Sequence, residues 1–208
     1  MNGSQQQATK KSEKNININD TSHMKCLKTT LLSVLAILSL SACSQNKSTN
    51  NMEKKKTLVV YFSATGTTKQ VAEKLAAAAD ADICEIVPAQ PYTNADLNWH
   101  DSQSRSSVEM ADSHARPEIV APTVDAGNYD TIFIGYPIWW DLAPRPVNTF
   151  VESVDLTGKT VIPFATSGGS SITGSVAALR KLYPKVKWQT GKLLNHASQQ
   201  DIKTWLNK

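Results

Sequence analysis

The sequence predicts an α/β fold, a three-layer, doubly wound domain on a five-stranded parallel sheet in the order 2-1-3-4-5. Three observations lead there. From residue 57 onward, short continuous apolar runs alternate with helix-like stretches, the pattern of βαβ units. The first run, Thr57-Leu-Val-Val-Tyr-Phe62, has no polar alternation, as expected of a strand covered on both faces. It is followed directly by the hydroxyl-rich loop Ser63 to Thr68, in the place where this topology opens a crevice at the carboxyl ends of strands one and three.

The elements follow in order. Lys69 to Ala79 has Val71, Leu75 and Ala78 at helical spacing, so it is expected to lie as a helix on the sheet. Ile83 to Val87 is the second strand, stopped by Pro88, and Thr131 to Ile134 the third, ended by Gly135 and Pro137. A helix is expected from Pro146 to Val154, since proline is accepted in a first turn. Thr160 to Ala165 is the fourth strand. A Ser/Gly-rich loop follows it, and then a helix from about Thr173 to Tyr183. Trp188 to Leu194 reads as a weaker fifth strand, and Ser198 as the cap of a last helix carrying Ile202, Trp205 and Leu206. The long polar stretch from Pro91 to Gly127 resists assignment beyond a short helix near Ser104 to Met110. Loops of this length are functional or disordered.

The domain, residues 57–208, is preceded by segments of different character. Residues 1–23 are polar and aperiodic, which reads as a disordered extension or an upstream start that is not used. Residues 24–42 read as a signal peptide: Met24-Lys25-Cys26-Leu27-Lys28, then the apolar stretch Leu31 to Leu40. That stretch is far short of the roughly 20 residues that span a bilayer as a helix. The ending Leu40-Ser41-Ala42-Cys43 resembles the lipobox of bacterial lipoproteins, which makes Cys43 the expected lipid attachment site. The chain is then expected to be exported and lipid-anchored at the bacterial cell envelope, facing the periplasm, with residues 43–56 as a flexible tether. An ordinary signal with Cys43 a spectator is the alternative.

Charge excludes one class of partner. The whole chain carries +4, but lysines of the leader and tether supply it, and the domain itself carries −2, so no nucleic-acid surface is implied. Of three cysteines, Cys84 is left alone in the domain, in the strand-like Ile83-Cys84-Glu85-Ile86-Val87, where a buried inert thiol is expected.

Ser63-Ala64-Thr65-Gly66-Thr67-Thr68 carries the strongest chemical signal. Between a strand and a helix, such a loop presents amides and hydroxyls at a helix N-terminus, where the dipole favours an anion. Four hydroxyls, one permissive glycine and no lysine suit a phosphate monoester. The lysine-bearing loop of nucleoside triphosphate binders is absent. A turn that only caps the helix is the plainer alternative. There is no Cys-x5-Arg loop, Gly-x-Ser-x-Gly elbow or Gly-x-Gly-x-x-Gly fingerprint. His23, His100, His114 and His196 have no ligand spacing, so no metal is expected.

Ser-x-Thr-Gly-x-Thr after a first strand resembles the FMN phosphate loop of flavodoxins. The likeness continues through Asp96-Leu97-Asn98-Trp99, Arg116-Pro117, Gly135-Tyr136-Pro137-Ile138-Trp139-Trp140, Ala143-Pro144-Arg145 and Thr166-Ser167-Gly168-Gly169-Ser170. In that order the motifs are similar to a bacterial, often exported subgroup of flavodoxin-like proteins. The resemblance implies FMN as cofactor, its phosphate held by Ser63, Thr65, Gly66, Thr67 and Thr68. It places Pro137, Ile138, Trp139 and Trp140 along the isoalloxazine, with Thr166, Ser167, Gly168 and Gly169 turning backbone N–H groups toward the flavin carbonyl edge. Adjacent residues of an extended segment point apart, so one tryptophan of the pair is expected to stack, and spacing does not choose between them.

Two departures from the family pattern bear on mechanism. The loop after strand four lacks the aromatic that covers a second flavin face, which leaves that face open to a substrate. Asp141 stands where relatives have a glycine whose peptide can turn toward the flavin, which puts strong one-electron poise in doubt. The implied function is a redox protein passing electrons from a reductant to a small acceptor such as a quinone, as in an NAD(P)H:quinone reductase. Flavodoxins that dock on redox proteins carry a strongly acidic face, and this domain does not. A protein-to-protein electron carrier and a non-catalytic flavin-binding scaffold are the alternatives, and a homodimer is left open.

Overall fold

The computed structural model describes residues 56–207. The expected extension, signal peptide, Cys43 and nearly all of the tether lie outside the described residues. The strands are β1 (Thr57–Tyr61), β2 (Asp82–Glu85), β3 (Thr131–Pro137), β4 (Thr160–Thr166), β5 (Lys187–Trp188) and β6 (Lys192–Leu193). The helices are α1 (Thr67–Ala79), α2 (Arg105–Ala111), α3 (Arg145–Ser153), α4 (Ile172–Leu182) and α5 (Gln199–Leu206), with a 3-10 turn at Ala126–Asn128. All strands run parallel in the order β2-β1-β3-β4-β5, and β6 also pairs with β4.

Strand alternation sorts the core into two layers. Leu58, Val60, Ile132 and Ile134 face one side of the sheet, where Val147 and Phe150 of α3 and Val176 and Leu179 of α4 cover them. Val59, Tyr61 and Phe133 face the other, against Val71, Ala72 and Leu75 of α1 and Ile202 of α5. Burial on both faces explains why β1 and β3 read as unbroken apolar runs.

The expected fifth strand is two short ones. β5 pairs beside Thr160 and Val161, and β6 beside Phe164 and Ala165, so one interrupted strand lines β4. The interruption contains Gly191, where a Cβ would lie 2.7 Å from Ile172 Cδ1 of α4. Close approach of helix to sheet, invisible in strand periodicity, breaks the ladder there. The last helix is capped as expected: Ser198 accepts from the Asp201 N–H, and Asp201 accepts from the Ser198 N–H.

The stretch from Pro91 to Gly127 is ordered by polar contacts. Tyr92 O–H donates to Glu109, whose carboxylate also takes the Arg105 guanidinium at 2.6 Å while that guanidinium lies over the Tyr92 ring at 4.1 Å. Burial and the neighbouring Glu109 push the Tyr92 phenol well above its ordinary range. Arg116 forms a forked pair with Glu152, at 2.8 and 2.7 Å. Buried Arg145 donates to the carbonyls of Glu109 and Met110 at the end of α2. Arg105, Arg116 and Arg145 are therefore committed to structure, and none of them lines the cavity described below. Cys84 is free and buried, as expected. Among the described residues no helix is long and apolar enough to cross a membrane.

Candidate functional site

The site is built at the carboxyl ends of β1, β3 and β4, where three loops meet around a cavity of 650 Å³. That volume is within the range of small-molecule sites.

The first loop leads from β1 into α1. Gly66 sits at φ +85, a left-handed conformation that glycine adopts without strain, and turns the chain into the helix. No side chain caps α1, and the first amide bonded within it is that of Gln70, to Gly66 O. The preceding amides are left for a ligand, at the positive end of the helix. Ser63 Oγ is buried and has no hydrogen-bond partner. A buried hydroxyl left unpaired costs roughly 1–3 kcal/mol, so this atom calls for an occupant. Ser63, Thr65 and Thr68 line the cavity, while Thr67 lines an adjoining lobe of 320 Å³ together with Thr65, Thr166 and His196. Lys69, the nearest cation in sequence, points instead toward Glu85 at 3.8 Å. The cradle is neutral, as read from the sequence.

The second loop follows β3, and here the structure corrects the premise about the tryptophan pair. Residues 139–142 are a tight two-residue turn rather than an extended segment. Trp139 N–H donates to Leu142 O, Leu142 N–H donates to Trp139 O, and Trp140 and Asp141 both have positive φ, +45 and +62. Both tryptophans line the cavity, but differently. Trp139 is fixed edge-on to Phe62 at 5.5 Å and Tyr92 at 5.4 Å. Trp140 is 46% exposed, a large apolar surface open at the cavity. Asp141 thus holds a left-handed backbone, which favours glycine.

The third loop follows β4. Its amides are less available than the sequence implied. Ser167 N–H donates to Asn195 Oδ1 at 2.8 Å, and Gly169 and Ser170 N–H both donate to Ser167 Oγ, at 3.1 and 2.8 Å. Asn195 Nδ2 closes the pair on Ser167 O at 2.6 Å. Of these four amides, that of Gly168 alone stays unengaged within the described residues. A Cβ at Gly168 or Gly169 would meet nothing within 4 Å, so these glycines border open space. Thr166 is buried under the loop, its hydroxyl on that of Thr68.

Asn195 escaped the sequence reading because it follows a two-residue strand and has no motif of its own. Ser106, buried on α2, and Trp99, 66% exposed, also reach the cavity. Only the packing of the 91–127 segment across the loops brings them there. No group of His, Cys, Asp and Glu suited to a metal ion exists among the described residues.

A family model described as Flavodoxin matches residues 56–208. The chain belongs to the flavodoxin family. Among solved structures, this flavodoxin-family chain is similar to candidate flavoproteins of two Bacteroides species. That of Bacteroides eggerthii is 57% identical, with a TM-score of 0.72, covering 74% of this chain and 97% of the other. That of Bacteroides uniformis is 56% identical, with a TM-score of 0.72, covering 74% and 99%. A flavoprotein of Lactobacillus acidophilus, solved in complex with FMN, is 24% identical, with a TM-score of 0.59 and coverage of 74% and 99%, a likeness of fold. None of the curated proteins matches. The orphaned Ser63 hydroxyl, the uncapped α1 and the exposed Trp140 face fit a molecule with a phosphate monoester at one end and a flat ring at the other.

Proposed function

We propose that the protein binds FMN and passes electrons from a reductant to a small acceptor such as a quinone. The observation that carries this reading is the buried, unpartnered Ser63 Oγ beside the uncapped N-terminus of α1, at one end of a cavity walled by Trp140. FMN, when bound, supplies the redox chemistry, exchanging one or two electrons. Ser63, Thr65 and Thr67 donate hydroxyls to its phosphate, and Gly66, Thr67 and Thr68 donate amides. The dipole of α1 adds its positive end, so a dianion needs no lysine. Trp140 offers its free face to the isoalloxazine, while Trp139 braces the turn from behind. Gly168 N–H is the one donor of the third loop left for the ring edge.

Calorimetric titration tests this. FMN is expected to bind and riboflavin, which lacks the phosphate, to bind far more weakly. Ser63→Ala should weaken FMN by about tenfold, the loss of one hydrogen bond to a charged group. Indifference of the chain to FMN would end the redox reading. A carrier of single electrons is the second reading, and the positive φ of Asp141 favours it, because the backbone already holds the conformation relatives reach with glycine. Stepwise reduction separates the two. A persistent one-electron-reduced flavin marks the carrier, and direct two-electron bleaching followed by reoxidation with quinone marks the enzyme.

We also propose export and lipid anchoring through Cys43, on the Leu-Ser-Ala-Cys ending of the leader. General export threads unfolded chains, so FMN then loads after translocation. Incorporation of labelled fatty acid that is lost in Cys43→Ala supports this, and an unlabelled, cytoplasmic chain refutes it.

A further inference from the structure

We infer that Trp99 walls a slot at the cavity mouth that takes a second ligand, a neutral planar ring of the quinone class. The inference rests on FMN filling the cradle end of the same cavity, and it adds the specificity of the open end.

Three observations carry it. First, Trp99 is a large apolar residue exposed at 66%, yet it lines the same cavity as the phosphate cradle. Single exposed aromatics are common, but an exposed one on the wall of a concave site marks recognition. Second, Trp99 is held rather than loose. Its ring lies against that of His100 with centroids 3.5 Å apart. The segment before it is tied by Asp96, which accepts from the Thr93 N–H and O–H at 2.8 and 2.7 Å. Leu97 N–H in turn donates to Thr93 O at 3.2 Å, and Ser106 N–H to Asp96 O at 2.9 Å. Those bonds to Thr93 hold the Asp96 carboxyl below its ordinary range, so the turn stays bonded through neutral pH. Third, no residue lining the cavity is ionisable. A pyrophosphate or carboxylate drawn into this mouth would lose water without meeting a cation. Flat, uncharged rings lose little and gain aromatic contact with Trp99.

Ser167, Gly168 and Gly169 line the same cavity, and a Cβ at either glycine would meet nothing within 4 Å, so they leave the slot unfilled. Trp99 reaches this cavity from the Asp96-Leu97-Asn98-Trp99 motif of the segment before α2.

The test uses the full chain loaded with oxidised FMN, in which no turnover occurs. Tryptophan and flavin fluorescence are followed while 2-methyl-1,4-naphthoquinone, or separately NAD+, is added. Saturable quenching by the quinone is expected, with little response to NAD+. In Trp99→Ala the quinone affinity should fall by about tenfold with FMN affinity unchanged, and Trp99→Phe should restore most of it. Equal quinone binding in Trp99→Ala overturns the inference, as does tighter binding of NAD+ than of quinone. Loss of FMN itself in Trp99→Ala overturns it too, by showing that Trp99 covers the flavin. Failure of the unaltered chain to take FMN is a separate outcome, read before any quinone is added, and it removes the cofactor reading on which the slot depends.

Discussion

Thr68 Oγ1 and Thr166 Oγ1 lie 2.8 Å apart, buried, joining the first turn of α1 to the last residue of β4 across 98 residues of sequence. Two hydroxyls sharing one bond have one hydrogen to spare, so the pair can tie two loops together and still donate once to a ligand. Thr68→Val is expected to cost about 1–3 kcal/mol, because it strands the Thr166 hydroxyl. Replacing both by valine should cost less than the sum of the two single changes. Urea denaturation of the four proteins in a double-mutant cycle checks the coupling.

Asn195 replaces a strand neighbour for Ser167, giving and taking a hydrogen bond where the ladder has ended. Asn195→Ala should free the Ser167 peptide and lower FMN affinity by about tenfold, with the thermal midpoint moving little. Isothermal calorimetry against scanning calorimetry separates those effects. An unchanged FMN affinity would mean that the third loop holds itself.

Asp141 sits at φ +62, next to Trp140 at φ +45. Left-handed backbone costs a residue with a Cβ roughly 1–2 kcal/mol. Asp141→Gly should therefore stabilise the protein by about 1 kcal/mol, offset in part by the freedom glycine gains when unfolded. It should also raise the yield of one-electron-reduced flavin during photoreduction, since the peptide can then turn freely. A destabilised variant would show that the Asp141 side chain makes a contribution larger than the strain.

Gly135 pairs with Tyr61 on one side and Phe164 on the other, and a Cβ there would lie 2.1 Å from Phe164 Cζ. Gly135→Ala must displace a fully buried ring, at a cost of about 3 kcal/mol. The urea midpoint reads this directly, and Gly135→Ala with Phe164→Leu should recover part of it.

Glu152 accepts from Arg116 and from the Tyr183 hydroxyl, and the Arg116 pair holds its carboxyl below the ordinary value of 4.5. A depressed carboxyl contributes stability that is fully present above its unfolded value and is lost as pH falls through the folded one. Glu152→Gln should thus lower stability at pH 7 and flatten its decline below about pH 4.5. Denaturation midpoints from pH 3 to pH 7 test the slope. Glu152 is partly exposed, so the effect is expected to be modest.

Much of this was legible beforehand, for local reasons. β1 and β3 announce themselves because burial on both faces demands unbroken apolar residues. Ser198 and Asp201 announce α5 because a cap is a property of four consecutive residues. The place of the Ser63 to Thr68 loop was readable because its hydroxyls, the permissive Gly66 and the following helix are contiguous. In the segment from Pro91 to Gly127 the short helix near Ser104 to Met110 was legible, and it is α2, Arg105–Ala111, but the rest was not. Its order comes from Tyr92, Arg105 and Glu109 meeting one another, and from Arg145 reaching back to α2, none of which has a repeat or a period.

Local sequence was enough for the sheet order and the helices, and it placed a hydroxyl-rich loop at the start of α1, since hydrophobic period, capping and turn residues act over a few neighbours. Packing from afar was needed for the contrast between a packed Trp139 and an exposed Trp140, the withdrawal of three amides of the third loop to Asn195 and Ser167, and the arrival of Trp99 at the cavity. Each of those depends on groups brought together by packing from distant parts of the chain, and a hydrogen bond or a ring contact leaves no trace in the spacing of residues that do not adjoin.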